Sequence, residues 1–420
     1  MNEVLNQFFS FDDPSVNTVL LGVCLLSINC SLTGTFVYLK KNAILGDVIS
    51  HAILPGICIA FLLHGQKNMA VLLSGAFITG FIAAWLNNYI PRISVIKADT
   101  ASALILSVFF GTGTIILTII QKTGNAAQSG VDSFIMGKAA GITQGDISFL
   151  AIVLLITLSL IIMFKRGLIM YCFDEEFGTS AGFPAKFYRF LVSFLTVLSV
   201  TAGIQAAGVL LVAGLMIIPV VAANFWSRRI NVILILACLF GLVSATGGSL
   251  ISYTGTGIPT GPWIIIVNAF FAFLSILFGA KGGVLGRLLN EVKLYLKSRE
   301  ENYLKYLYKL REDKGENIIV KVSIRNLRET GSLLCFFSGY ITLNQGEIKF
   351  TPQGFDLAKR VVRRHRLWET YLSEIMHLQP DHLHDNAELM EHFITDEIEE
   401  ELQKLLKTPL TDPHHRPIPY

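Results

Sequence analysis

The sequence predicts an all-α polytopic membrane protein of about nine transmembrane helices, followed by a charged cytoplasmic domain that is part winged-helix-like and part helical. Three observations carry this reading. In a chain of 420 residues, Lys, Arg, Asp and Glu number 24 before residue 286 and 41 after it. Uncharged runs of about 20 residues, long enough to span a bilayer, recur through the first part. The basic residues between those runs fall mostly on one side of an alternating topology. A chain that is 52% hydrophobic and 15% charged, and so divided, is not one large soluble domain, a secreted disulfide scaffold or a disordered protein. Its net charge of +3 makes no case for a nucleic-acid partner. The six cysteines have no framework spacing and read as small buried hydrophobes. No cleavable signal peptide is expected, because Glu3, Asp12 and Asp13 precede the first basic residue, Lys40.

Residues 17–39, 44–63, 69–90, 101–120 and 147–164 read as single spans. Phe190 to Ser227 holds no charge and is long enough for two, with a break expected near Gly203 and Gln205. Ile230 to Ala280 holds two more, parted by the TGTGIPTGP turn. With nine spans, Lys40, Lys41, Arg92, Lys97, Lys165, Arg166, Lys186, Arg189, Arg228, Arg229 and Lys281 share one side, against Lys67, Lys122 and Lys138 on the other. The bias places the N-terminus outside and the C-terminal domain in the cytoplasm.

The second span contains LGDVISHAILPG, which puts Asp47 and His51 four residues apart on one helix face. Ionisable residues inside a membrane are costly and face a partner, a cavity or a substrate path. A carboxylate and an imidazole on one face can hold Mn, Fe or Zn, and an interfacial Asp beside a structural His fits the spacing equally well. Further on, Asp174, Glu175 and Glu176 open a short helix where the N-terminal dipole favours carboxylates, and Gly182 with Pro184 closes it.

These motifs resemble the ABC-3 permease family, the membrane subunits of bacterial importers for manganese, zinc or iron. The likeness covers residues 10–285 and rests on LGDVISHAILPG, FDEEFGTSAGFP, IQAAGVLLVAGLMIIPVVAA and IPTGPWIIIV. It implies a metal pathway at Asp47 and His51. It also implies that the loop with Asp174, Glu175, Glu176, Phe177 and Gly182 docks on an ABC ATP-binding subunit. The expected partners are that subunit, a periplasmic or lipoprotein metal-binding protein, membrane lipid and a second copy in a homodimer. No GxxxxGK[ST] motif occurs, so nucleotide is expected on another polypeptide and no enzyme activity on this one.

The transmembrane permease domain is expected over 1–285 and a juxtamembrane linker helix over 286–298. A degenerate winged-helix-like domain follows over 299–360, on the strand-like runs ENIIVKV, GYITLN and GEIKFT, and a last domain over 361–420. In the last part His365 and Glu369 stand four apart, while His384, Glu388, Glu391 and His392 fall on one stripe of one helix. Such a set can ligate a divalent ion, and a solvated charged face explains it equally well. His382, His414 and His415 read as surface residues. The run from Val361 onward resembles the diphtheria-toxin-repressor type of iron and manganese regulators. That resemblance makes 361–420 a metal-binding and dimerisation domain. It assigns His365, Glu369 and His384 to one metal site and Glu388, Glu391 and His392 to another, and Glu388 in place of cysteine resembles the manganese branch. Asn302 and Lys305 depart from it, standing where the manganese regulators carry an aspartate and a glutamate. The segment where a recognition helix would lie, VSIRNLRETGSLLCFFSGYI, is several residues shorter than the family pattern, lacks its serine-rich helix start and carries an apolar CFF run where base-reading polar residues would be, so metal-dependent dimerisation or gating is expected rather than DNA binding. The leading reading is an importer permease with a metal-sensing tail. The alternatives are a membrane-tethered or cleaved metal-dependent repressor and, last, a secondary transporter.

Overall fold

The computed structural model describes residues 14–65, 68–122, 141–255, 258–314, 320–321, 330–344, 347–378, 388 and 390–420. The chain divides into two compact units, Met1–Gly286 and Arg287–Tyr420. The first unit holds α1 (Pro14–Leu39), α2 (Leu45–His64), α3 (Met69–Ile93), α4 (Ala98–Lys122), α5 (Gln144–Phe173), the short α6 (Glu175–Ser180), α7 (Ala185–Ala207), α8 (Val209–Asn224), α9 (Ile230–Tyr253) and α10 (Thr260–Phe278). Among the described residues, eight of these helices are long and apolar enough to cross a membrane. The 16-residue α8 is also apolar. At 1.5 Å per residue it reaches about 24 Å, less than the roughly 30 Å of hydrocarbon.

Burial sorts the bundle. Helices α1, α2, α7 and α8 are buried over most of their length, whereas α3, α4, α5, α9 and α10 turn large apolar side chains outward. The outward residues include Ile78, Trp85, Ile115, Leu155, Ile162, Ile235 and Phe273, as expected of helices bathed in lipid. The helices approach closely where small residues allow it. A Cβ on Gly56 of α2 would lie 2.2 Å from the Gly75 carbonyl oxygen of α3, and one on Gly75 would lie 2.4 Å from the Gly56 oxygen. Only paired glycines permit that crossing.

The break inside the long uncharged run falls at Gly208, not near Gly203 and Gln205. Gly208 has φ +85°, a conformation costly for any residue with a Cβ, and it ends α7 and begins α8. Gly203 serves another purpose. A Cβ there would stand 2.5 Å from Val212 Cγ2, so the chain doubles back at Gly208 and α8 packs against the end of α7.

The second unit starts within α11 (Val284–Lys314), one continuous helix across the expected linker and the first tail helix. The strands β1 (Val320–Lys321), β2 (Ile341–Asn344) and β3 (Glu347–Phe350) form an antiparallel sheet in the order β1-β3-β2, with Val320 opposite Ile348 and Ile341 opposite Phe350. Helix α12 (Thr330–Phe337) precedes β2, and α13 (Pro352–Glu374) and α14 (Asp396–Leu405) follow the sheet. Tyr303, Leu304 and Leu307 of α11 pack with Cys335, Ile341, Ile348 and Ala358. Arg366 of α13 is almost wholly buried, 3.0 Å and 2.5 Å from the two carboxylate oxygens of Glu312 and 3.5 Å from Asp412. The expected helical stripe is not continuous: Glu391 and His392 lie in a turn after Met390, and His384 and His382 fall outside the described residues.

Candidate functional site

Helix α2 begins at Leu45, so Asp47 sits in its first turn and His51 one turn further on. The dipole of the helix start favours the Asp47 carboxylate. His51 Nε2 is 3.6 Å from Asp47 Oδ1, and the two side chains are 32% and 43% exposed. The imidazole rests against the Phe110 ring of α4, centroids 5.1 Å apart and near perpendicular. Beside it lies a cavity of about 20 Å³ bounded by Ser50, His51, Leu54, Phe110, Ile204 and Val209. That volume is about that of one water molecule, and its walls are apolar apart from Ser50 and His51. Ile204 and Val209 come from either side of the Gly208 break, so the broken helix pair supplies one wall of the space beside His51. Pro55, within α2, has no N–H to donate to the His51 carbonyl four residues before it. Among the described residues no three His, Cys, Asp or Glu side chains converge as a metal-holding group.

The loop between α5 and α7 is built around Glu175. Asp174 caps α6, accepting from the Phe177 N–H at 2.8 Å. Glu175 turns inward and meets three cations: Lys40 Nζ just past α1 and Arg92 Nη2 near the end of α3, both at 3.0 Å, and Arg189 in α7. Lys40 also donates to the Tyr171 carbonyl at 3.0 Å. Partial burial alone would raise the Glu175 carboxyl, but Arg92, Lys40 and Arg189 outweigh it and hold it at about 2. Glu176 and Phe177 face outward, Phe177 being 60% exposed. Gly182, at φ +88°, turns the chain back toward α7. The loop therefore has an outer face and an inner anchor that grips three helix ends. The anchor is absent from the sequence reading, which uses Lys40, Arg92 and Arg189 only as topology markers.

In the tail, α13, Glu388 and the turn after Met390 bring several predicted residues together. His365 Nδ1 is 2.6 Å from Glu391 and its Nε2 is 3.2 Å from Glu369, all three side chains being buried. Burial alone would push the His365 imidazole down, but the two carboxylates prevail and raise it. Glu391 is likewise pushed up by burial and, on balance, pulled down by His365 and Lys305. His392 Nδ1 lies 2.5 Å from Glu301. Lys305 of α11 reaches Glu391 at 2.7 Å and Glu388 at 3.6 Å. His365 and Glu369 supply the N and O donors a divalent ion would use, whereas Glu388 and Glu391 already face an ammonium group. At the first group His365 is held between Glu369 and Glu391, and among the described residues no third donor completes a metal-holding set at either group.

Among the described residues, eight apolar helices of membrane-crossing length around a buried core define a multi-pass membrane protein. The chain belongs to the ABC 3 transport family, which matches residues 12–279. Residues 351–420 match the iron dependent repressor, metal binding and dimerisation domain. The chain is 33% identical over 373 residues to the manganese transport system membrane protein MntC of Bacillus subtilis, covering 87% of this chain and 86% of that one. It is 36% identical over 290 residues to the zinc transport system membrane protein TroC of Treponema pallidum, covering 69% of this chain and 97% of the relative. The solved structure of PsaBC from Streptococcus pneumoniae in complex with Fab superposes with a TM-score of 0.58 at 25% identity, over 66% of this chain and 97% of that chain.

Proposed function

We propose that this chain is the permease subunit of an ATP-driven importer for a divalent metal of the manganese, iron and zinc group. Two copies form the pathway, a binding protein delivers the ion outside, and a separate ATP-binding subunit docks on Glu176 and Phe177 of α6. The N-terminus lies outside and the tail in the cytoplasm, with α8 counted as the ninth span. The observation that carries the reading is the Asp47 and His51 pair beside the small cavity at the Gly208 break, in a chain of the ABC 3 family. An oxygen and an imidazole donor set, without cysteine, suits this group of ions.

In the tail, we assign His365, Glu369 and His384 to a regulatory ion through which cytoplasmic metal acts on the permease. Glu388, Glu391 and His392, the other ligand-type residues of the tail, already face Lys305 and Glu301. A released DNA-binding repressor is less well supported, because the α12 segment presents Leu333, Phe336 and Phe337 to solvent, Phe337 at 81% exposure, rather than base-reading polar side chains. The test is uptake of manganese into proteoliposomes holding the permease, its binding protein and the ATPase. Uptake with active ATPase and none with a hydrolysis-dead ATPase is the expected result. Uptake that follows an ion gradient and ignores ATP would refute the reading.

A further inference from the structure

The second group of ligand-type residues in the tail is already paired within the chain itself. Lys305 projects from α11 and its side chain is only 6% exposed. Its Nζ lies 2.7 Å from Glu391 Oε1 and 3.6 Å from Glu388 Oε1. A divalent ion bridging those carboxylates would sit about 2.0–2.6 Å from their oxygens, in the volume the ammonium fills. Two cations cannot share it. The lysine has no easy exit either, since Leu304 and Tyr303 beside it are core residues that fix the register of α11.

Glu301 strengthens the arrangement. It stands one helical turn before Lys305, on the same face of α11, and holds His392 Nδ1 at 2.5 Å while Lys297 approaches it at 3.5 Å. His392 Nε2 lies 3.6 Å from Glu391. The ring is therefore gripped from α11 at one nitrogen and faces an already paired carboxylate at the other. The carboxylates Glu301, Glu388 and Glu391 meet Lys297, Lys305 and His392 without an added ion.

We propose that Lys305 is a tethered cation that takes the place of a divalent metal at Glu388, Glu391 and His392. This turn closes onto α11 without metal, and each tail binds one ion fewer than its ligand-type side chains would allow. The count rests on the reading above for His365, Glu369 and His384, but the occupancy by Lys305 does not.

The experiment counts manganese bound per full-length chain in detergent, by elemental analysis after desalting, for wild type and three variants. The Glu388→Gln/His392→Asn variant is expected to bind as many ions as wild type, and Lys305→Glu one more. Loss of one ion in the double variant overturns the proposal, as does a folded Lys305→Glu chain that gains none. If Lys305→Glu does not fold, Lys305→Gln replaces it: manganese should raise its melting temperature more than that of wild type, and an equal rise overturns the proposal. A count unchanged by His365→Gln would sink the regulatory-ion reading and leave the Lys305 assignment standing.

Discussion

Replacing Glu175 by glutamine nearly preserves the side chain's size and removes the charge that three cations share. A carboxyl held at about 2 rather than 4.5 corresponds to roughly 3 kcal/mol of preferential stabilisation of its charged form. Arg92 is 47% exposed and Glu175 itself is partly open, so solvent screening reduces the usable part to about 2 kcal/mol. That is a factor of about 30 in the equilibrium between α6 seated and unseated on the ends of α1, α3 and α7. The substitution also leaves Lys40, Arg92 and Arg189 facing one another without an anion. If the inner anchor carries the ATPase stroke to those helices, Glu175→Gln lowers metal uptake per ATP by about tenfold or more, while basal hydrolysis by the assembled complex stays within about twofold. The assay is paired measurement of uptake and phosphate release in the same proteoliposomes. Wild-type uptake per ATP in the variant would refute the reasoning, and loss of complex assembly would reassign Glu175 to docking.

Two further predictions follow from the same contacts. Because the Glu175 carboxyl is depressed, its contribution is fully present above about pH 4.5 and is lost as pH falls toward about 2. The Glu175-dependent part of stability, taken as the wild type minus Glu175→Gln difference in melting temperature, should therefore be constant from pH 5 to 8 and shrink below that window. In the tail, Arg366→Met removes the buried partner of Glu312 and Asp412 and should cost about 3–5 kcal/mol, read as early unfolding of the tail in calorimetry with the membrane transition unchanged.

The placement of the spans was legible because lipid demands long uncharged runs, and each predicted run contains or overlaps a helix of the bundle. The position of the break was not. An uncharged stretch carries no punctuation beyond its glycines, and both Gly203 and Gly208 sit in the same run. Only the folded chain distinguishes a glycine that makes room for Val212 from one that takes φ +85°. Asp47 and His51 were legible as a pair from their spacing, but the cavity beside them is walled by residues about 150 positions later in the chain. The Glu175 anchor and the Lys305 contacts share that difficulty. Lys40 and Glu175 are 135 residues apart, Lys305 and Glu391 are 86, and nothing local marks either pair. Helical periodicity misled at Glu391 and His392, where the chain turns and aims both side chains back at α11.

The claim at the centre of this account is that a divalent metal passes Asp47 and His51. It is tested most directly by ATP-driven uptake of radioactive manganese through the Asp47→Asn/His51→Gln variant, assembled with its binding protein and ATPase. The account predicts uptake reduced by about tenfold or more, from the loss of a charged and an imidazole donor, with the complex still assembled and hydrolysing ATP. Uptake equal to wild type in that variant would contradict it.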